Sequence, residues 1–140
     1  MIAACTERFE RRLVEENTLA DGRVQRRVRM VPNVQLPAAL KKLIGDHEIS
    51  YDEVSTFDPA KNEVEYFIDS KAKERVAVQG TIRFLASAGG VRRVIDGEVK
   101  AKVFGLGSVI EKLVESEVTK SYENIARIMQ RYLDEDAASR

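Results

Sequence analysis

Hydrophobic and polar residues alternate with a period of two over roughly the first hundred positions of the chain, and helical spacing replaces this pattern near the carboxyl end. Alternation of this kind is typical of strands that bury one face. Six segments show it, and short stretches rich in Gly, Pro, Asp and Asn separate most of them. The predicted strands span 10–17, 23–31, 48–57, 63–69, 75–85 and 91–103. Because most of the links are too short for helical crossovers, we expect an antiparallel meander.

The last part of the chain has the spacing of an amphipathic helix. Apolar residues recur three and four positions apart over 108–133, which makes one continuous stripe. Ser108 is placed to cap this helix, with Glu111 three residues further on as in a capping box. A helix of this length measures about 39 Å and can cross the whole sheet. A shorter helix is predicted over 36–44, ended by Gly45. The predicted fold class is therefore α+β.

The alternation also predicts which side of the sheet is covered by the long helix. One face collects Val, Ile, Met, Tyr and Phe, and the opposite face collects charged residues. The charged face includes Arg23, Arg27 and Arg29, but acidic neighbours dilute them and no aromatic residues interleave with them. The chain has 23 Lys and Arg against 23 Asp and Glu, so its formal charge is zero. We therefore expect no nucleic-acid partner.

Length and composition fit one soluble domain. The chain has 140 residues, of which 44% are hydrophobic. We expect a single domain over 1–133 followed by a frayed tail over 134–140. No stretch is apolar over the roughly 18 residues that a transmembrane helix needs, and a cytoplasmic location is predicted.

Signals of catalysis or metal binding are weak. His47 is the only histidine and Cys5 the only cysteine, so one chain can build neither a histidine-rich metal site nor an internal disulfide. No nucleophile elbow is present. We predict no catalytic residue, no metal and no cofactor.

Charged residues on the apolar faces of strands are more informative. Simple alternation points Arg26 and Arg93 toward the covered side of the sheet, where an unpaired guanidinium is costly. An internal partner is available in Glu53, which alternates in phase with Tyr51. An anionic ligand headgroup is the other candidate partner. A structural ion pair or a position at the rim is favoured, because alternation fails at strand ends and bulges.

The predicted short helix places charge beside apolar residues. Lys41 and Lys42 adjoin Leu40, Leu43 and Ile44, a combination that suits a membrane surface. A helix docked on the sheet, with its lysines in water, explains the pattern equally well.

Three motifs in this order resemble a known family. They are Asp21-Gly22-Arg23, the Leu-Pro-x-x-x-Lys-x-Leu-Ile-Gly stretch at 36–45, and Val54-Ser55-x-x-Asp58-Pro59. Their order and spacing resemble the PRELI family of lipid-transfer domains, within the START-like (SRPBCC) superfamily and its bacterial members of unassigned function. The resemblance extends from about residue 9 to residue 133.

This resemblance implies a helix-grip fold, in which a curved antiparallel sheet and a long C-terminal helix enclose a hydrophobic tunnel. It implies an anionic phospholipid as ligand, with a lid matching 36–45 and transient contact with a membrane. Lys41 or Lys42 matches the basic residue of the lid, and Lys112 and Lys120 are candidates for the basic residues of the final helix. The apolar side chains expected to line the cavity include Tyr66, Phe84 and Leu113.

The chain departs from the family at its beginning. The first strand and helix of the PRELI fold have no counterpart here: either the start of the protein lies upstream, or the fold lacks this segment, which leaves an open sheet edge and allows a homodimer through it. The predicted function is the binding, and the transfer between membranes, of a hydrophobic ligand by a protein that is not an enzyme. The alternatives are a START-like polyketide cyclase or aromatase, and a protein-interaction module that uses the same groove.

Overall fold

A computed structural model describes residues 9–32, 38, 42, 50–71 and 73–140. These residues form an open antiparallel sheet of six strands in chain order, followed by one long helix, so the predicted α+β meander is confirmed. The strands are β1 Phe9–Thr18, β2 Val24–Pro32, β3 Tyr51–Asp58, β4 Glu63–Asp69, β5 Val76–Ser87 and β6 Gly90–Ala101. The helix is α1, Gly107–Ala138.

Tight turns between neighbouring strands produce the antiparallel order. Gly22 and Gly89 have φ of 87° and 79°, a left-handed conformation that glycine adopts without strain. Before β2, the Arg23 N–H donates to Asp21 Oδ1 at 3.1 Å, which stabilises the turn. Four of the five connections between strands are too short for any crossover, so those neighbouring strands pair antiparallel, and all six strands lie in chain order.

The register aligns one residue from each of five strands in a row across the sheet. Arg26 pairs with Ser55, Ser55 with Tyr66, Tyr66 with Gly80, and Gly80 with Gly97. Directly paired residues share a face. Tyr66 bonds α1, so this row lies on the helix-facing side of the sheet. The opposite side is called the outer face below.

The beginning of α1 differs from the prediction. The helix begins at Gly107, with Leu106 as its N-cap and no side-chain cap, so the predicted capping box at Ser108 is wrong. Glu111 serves another purpose, because its Oε1 accepts the Ala101 N–H at 3.0 Å. A β-carbon on Gly107 would lie 2.8 Å from the Ala101 carbonyl oxygen, so glycine allows this close approach. The helix start is therefore tied to the end of β6.

The helix also continues beyond the predicted end at residue 133. It reaches Ala138, so most of the segment expected to fray is helical. Side chains four positions apart support the last turns: Gln130 donates to Asp134 at 2.8 Å, and Arg131 lies 3.8 Å from Glu135. These pairs are polar, so an apolar stripe could not reveal them.

Packing of α1 leaves part of the sheet open. The helix packs chiefly on β6, and Ile110 is its one buried residue. Leu13 of β1 pairs with Val28 on the helix-facing side, yet it is 56% exposed. The helix-facing side of the sheet is therefore only partly covered, and this side from β1 to β6, together with α1, is called the groove below.

The predicted short helix falls almost entirely outside the described residues. Ala38 and Lys42 are described, and both are helical and exposed. No helical segment in the described part of the chain combines the length and the apolar character that crossing a bilayer requires.

Candidate functional site

Two tyrosines meet where α1 crosses the sheet. Tyr122 of α1 donates a hydrogen bond to Tyr66 Oη at 3.0 Å, and Tyr66 is buried. Burial, and then this hydrogen bond, raise the pKa of the Tyr122 phenol well above its usual value. Tyr122 therefore stays neutral at physiological pH. This bond uses the hydroxyl hydrogen of Tyr122, so the hydroxyl hydrogen of Tyr66 remains available for donation to a third partner.

Arg93 lies beside this pair on the helix-facing side of β6. Its Nη1 donates to Met129 Sδ at 3.4 Å, and its guanidinium carbon lies 5.8 Å from the centre of the Tyr122 ring. These contacts are a weak hydrogen bond and a cation–π interaction. The Nε of Arg93 is buried and has no hydrogen-bond partner. Arg93 thus points toward the covered side, as the alternation predicts, and keeps an unused donor there.

A second arginine lies on the same side at the opposite edge of the sheet. Arg11 Nη2 is 3.9 Å from Glu53 Oε1, and Arg11 Nε is also buried without a partner. Burial, and then the charge of Glu53, raise the pKa of the neighbouring Tyr51 to about 12. The structure therefore brings Tyr51 and Glu53 together as predicted, but with Arg11 as the cation.

Sequence reasoning missed Arg11 as a site residue. A bulge between Leu13 and Glu15 shifts the register of β1, so Arg11 falls on the same side as Glu16 despite the odd spacing. The signal that could have found Arg11 is its period-two relation to Leu13.

Arg26 has a different partner from the one suggested by the sequence. It forms an ion pair with Glu16 at 2.5 Å, and its side chain is 55% exposed. Glu53 lies opposite Val28 rather than opposite Arg26, so the suggested pairing of Arg26 with Glu53 is wrong. Of the two favoured interpretations, a structural ion pair or a position at the rim, the ion pair is confirmed for Arg26.

The described lysines among the predicted ligand-binding residues are all exposed to solvent. Lys112 and Lys120 are exposed on α1, and Lys120 pairs with Glu117 at 3.3 Å. Lys42 is exposed as well, and Lys41 lies outside the described residues. The predicted lining residues Phe84 and Leu113 are both half-buried.

The outer face carries a network of ion pairs. Arg27 Nη1 donates at 3.0 Å both to Asp52 and to Asp69, and Arg29 bonds Asp52 through two nitrogens. Lys73 completes the network on Asp69 at 3.1 Å. The hydrogen bond from Arg29, and to a smaller extent the one from Arg27, hold the pKa of Asp52 below its usual value. The acidic residues that neutralise Arg27 and Arg29 are therefore aspartates.

The outer face of the described part of the chain also carries shallow clefts. One has a volume of about 160 Å³ and another a volume of about 30 Å³. Polar side chains dominate both linings. The larger is lined by Glu10, Arg12, Arg29, Val31 and Ser50. Among the described residues, no three His, Cys, Asp or Glu side chains are grouped to hold a metal ion.

The fold and the site define an α+β protein in which one helix packs chiefly on the last strand of an open antiparallel meander, with a buried tyrosine and two buried arginine Nε atoms on the helix-facing side. A family model described as "Protein of unknown function (DUF2505)" matches residues 3–133, and the chain belongs to this family. A search of curated proteins finds no match to the chain.

Proposed function

We propose that this protein binds an amphiphile in the groove, with the anionic group of the ligand on Arg93 and its apolar part against the sheet. The observation that carries the proposal is the buried Nε of Arg93, which has no partner although it adjoins the tyrosine pair. A buried donor without an acceptor costs about 1–3 kcal/mol. A carboxylate or phosphate oxygen would remove that cost, and arginine binds both groups well.

Apolar side chains supply the rest of the binding energy. Val28, Phe57 and Val64 are half-buried on the helix-facing side, and Leu13 is exposed there. An alkyl chain laid against them gains about 0.8 kcal/mol for each methylene group that it buries. Binding of a long-chain amphiphile would therefore cover the surface that α1 leaves open.

The finer fold assignment is part of this proposal. An open meander with one long helix is compatible with a helix-grip fold of the START-like superfamily, and the sequence resembles the PRELI family within it. On that basis an anionic phospholipid is the expected ligand, and its transfer between membranes is the expected activity. Lys42, exposed and helical, would then contact the membrane surface.

The enzyme alternative has weaker support. It predicts ionisable groups with perturbed pKa values that converge in a pocket. The groups on the helix-facing side whose pKa is raised are Tyr51 and Tyr122, and a raised pKa keeps them neutral. Neutral phenols donate hydrogen bonds and are poor bases at physiological pH. This chemistry suits binding an oxygen acceptor better than abstracting a proton.

Native mass spectrometry of the purified protein, with solvent extraction of bound lipid, tests the proposal. We expect a stoichiometric mass shift that resolves into an anionic amphiphile and that is lost in Arg93→Met. The control is Arg83→Met, because Arg83 lies on the outer face of the adjacent strand and pairs with Asp96. A protein that stays empty after mixing with vesicles containing phosphatidic acid would overturn the proposal.

A further inference from the structure

The connection between β6 and α1 carries a fully exposed aromatic side chain. Phe104 is 102% exposed, the highest value among the large exposed hydrophobic residues of the described chain. Its neighbours Val103 and Leu106 are half-buried, and the Val103 carbonyl oxygen accepts the Gly107 N–H at 3.0 Å. Val109, in the first turn of α1, is 62% exposed. A hydrogen-bonded turn therefore holds two apolar side chains in solvent.

The connection between β4 and β5 lies at the same end of the sheet. Val76 begins β5 and pairs with Ala101, which ends β6. One residue further, the Arg75 carbonyl oxygen accepts the Lys102 N–H at 2.6 Å. Residues 71, 73–75 and 102–112 therefore form one end of the structure, called the basic end below.

The basic end has more positive than negative charge. Four exposed cations there have no ion-pair partner among the described residues: Lys71, Arg75, Lys102 and Lys112. Lys73 is already paired with Asp69 at 3.1 Å. The carboxylates of the basic end are Glu74, which is exposed, and Glu111, which accepts the Ala101 N–H. Two positive charges therefore remain in excess, although the whole chain has a formal charge of zero.

We infer that the basic end docks on the surface of an anionic lipid bilayer, with Phe104 and Val109 inserted among the headgroups and the four cations facing lipid phosphates. Single exposed apolar residues are common on proteins, but here they coincide with unpaired positive charge. Burial of apolar side chains and attraction of cations both strengthen binding to an anionic bilayer.

A bilayer suits the basic end better than a protein partner does. The four cations lie on two connections and on α1, and none of them is held in place by an ion pair with a described residue. A protein partner needs charges in a fixed arrangement, whereas lipid headgroups adjust to the cations that approach them. This inference rests on the membrane contact expected under the proposed function, but it does not depend on a ligand in the groove.

Tryptophan fluorescence tests the inference, because the chain contains no tryptophan. Phe104→Trp places a single reporter at the basic end. Val91→Trp places one at the opposite end of β6, where Val91 is 70% exposed. Each full-length variant is mixed with vesicles of equal parts phosphatidylglycerol and phosphatidylcholine. We expect a blue shift of the emission, and quenching by brominated acyl chains, in Phe104→Trp and not in Val91→Trp.

Further variants separate the apolar contribution from the charged one. Phe104→Ser should weaken binding to these vesicles at least about tenfold, whereas Val91→Ser should not change it. Lys102→Gln should weaken binding about fivefold. Its matched control is Arg92→Gln, which removes an exposed cation at the opposite end of β6 and should have no effect. Added salt should weaken the binding of the wild type, and circular dichroism verifies that every variant is folded.

The outcomes distinguish this inference from the proposed function. Vesicle binding without any change in the emission of Phe104→Trp would overturn the inference and move the membrane contact elsewhere, for example to Lys42. Equal losses in Phe104→Ser and Val91→Ser would overturn it as well. No binding to the anionic vesicles would overturn it in favour of a protein partner at the basic end. Lipid recovered by solvent extraction in that case would still support the groove, so the two proposals can fail separately.

Discussion

The hydroxyl of Tyr66 lies directly over Gly97 of β6, so that a β-carbon at position 97 would come within 2.9 Å of it. The same hydroxyl would be 2.7 Å from a β-carbon on Gly80. Two glycines on neighbouring strands thus make room for a tyrosine that extends from β4 toward α1. This arrangement connects the helix to the centre of the sheet, because Tyr66 Oη accepts the hydrogen bond from Tyr122.

Gly97→Ala should therefore displace Tyr66 and lower the free energy of unfolding by about 1–3 kcal/mol, as overpacking does. Removing the hydroxyl in Tyr66→Phe should relieve most of that penalty in the double variant. The loss of stability in Gly80→Ala should not be relieved by Tyr66→Phe, because the added β-carbon would also clash with the Asp96 carbonyl oxygen. Urea denaturation measures all of these values. Gly90→Ala is the control, because no atom lies within 4 Å of the added carbon, and a full penalty in the double variant would contradict the account.

Tyr122→Phe should lower the free energy of unfolding by about 1 kcal/mol, the usual net contribution of one hydrogen bond. Because both hydroxyls belong to the same bond, the Tyr66→Phe and Tyr122→Phe losses should not add in the double variant. Tyr132→Phe provides the control on the exposed part of the same helix and should change stability by less than about 0.5 kcal/mol. Strict additivity would show that the two hydroxyls are not coupled.

Arg93→Met should leave the stability of the empty protein unchanged or raise it by about 1 kcal/mol. The variant removes a buried donor without a partner, which is a cost of about 1–3 kcal/mol, and it loses a cation–π contact that contributes about 0.5–1 kcal/mol. Thermal denaturation of delipidated protein measures the difference. A loss above about 1 kcal/mol would mean that Arg93 has a structural role and would weaken the case for a ligand site.

Acid should destabilise the protein through the outer-face network. The hydrogen bond from Arg29 is the largest influence on the pKa of Asp52 and lowers it. Burial acts in the opposite direction, but Arg27 also lowers this pKa, and the net effect is a lowered value. Arg27 lowers the pKa of Asp69 as well. A carboxylate whose pKa is lower in the folded state contributes stability above its unfolded pKa of about 3.9. This contribution is lost as the pH falls through the folded value.

Asp52→Asn should therefore make the loss of stability below about pH 4 shallower than in the wild type. Urea denaturation across a pH series measures the slope. Asp134→Asn is the control, because Asp134 is exposed and accepts from the neutral side chain of Gln130. Identical slopes for wild type and Asp52→Asn would contradict the role assigned to Asp52.

Local pattern was sufficient to predict most of the fold. The prediction for β4 agrees with the strand Glu63–Asp69, and the other described strand ends differ from prediction by at most three residues. Alternation and turn residues are properties of neighbouring positions, so a sequence displays them directly. The extent of α1 was underestimated because polar pairs, not apolar residues, support its last turns.

The candidate site was only partly predictable, because it depends on distant contacts. The inward direction of Arg93 followed from alternation, and so did the grouping of Tyr51 with Glu53. Contact between Tyr66 and Tyr122 joins residues 56 positions apart, and no local pattern encodes it. Arg11 was missed because a single bulge in β1 changes which residues share a face.

Photolabelling tests the central claim most directly, because it locates the bound ligand. The probe is a long-chain carboxylic acid with a diazirine next to the carboxyl group, and the labelled peptides are identified by mass spectrometry. We predict labels on the parts of β4, β6 and α1 that carry Tyr66, Arg93 and Tyr122, and loss of this labelling in Arg93→Met but not in Arg83→Met. Labels confined to the outer face, or labelling that is the same in Arg93→Met, would contradict the claim that Arg93 binds the anionic group.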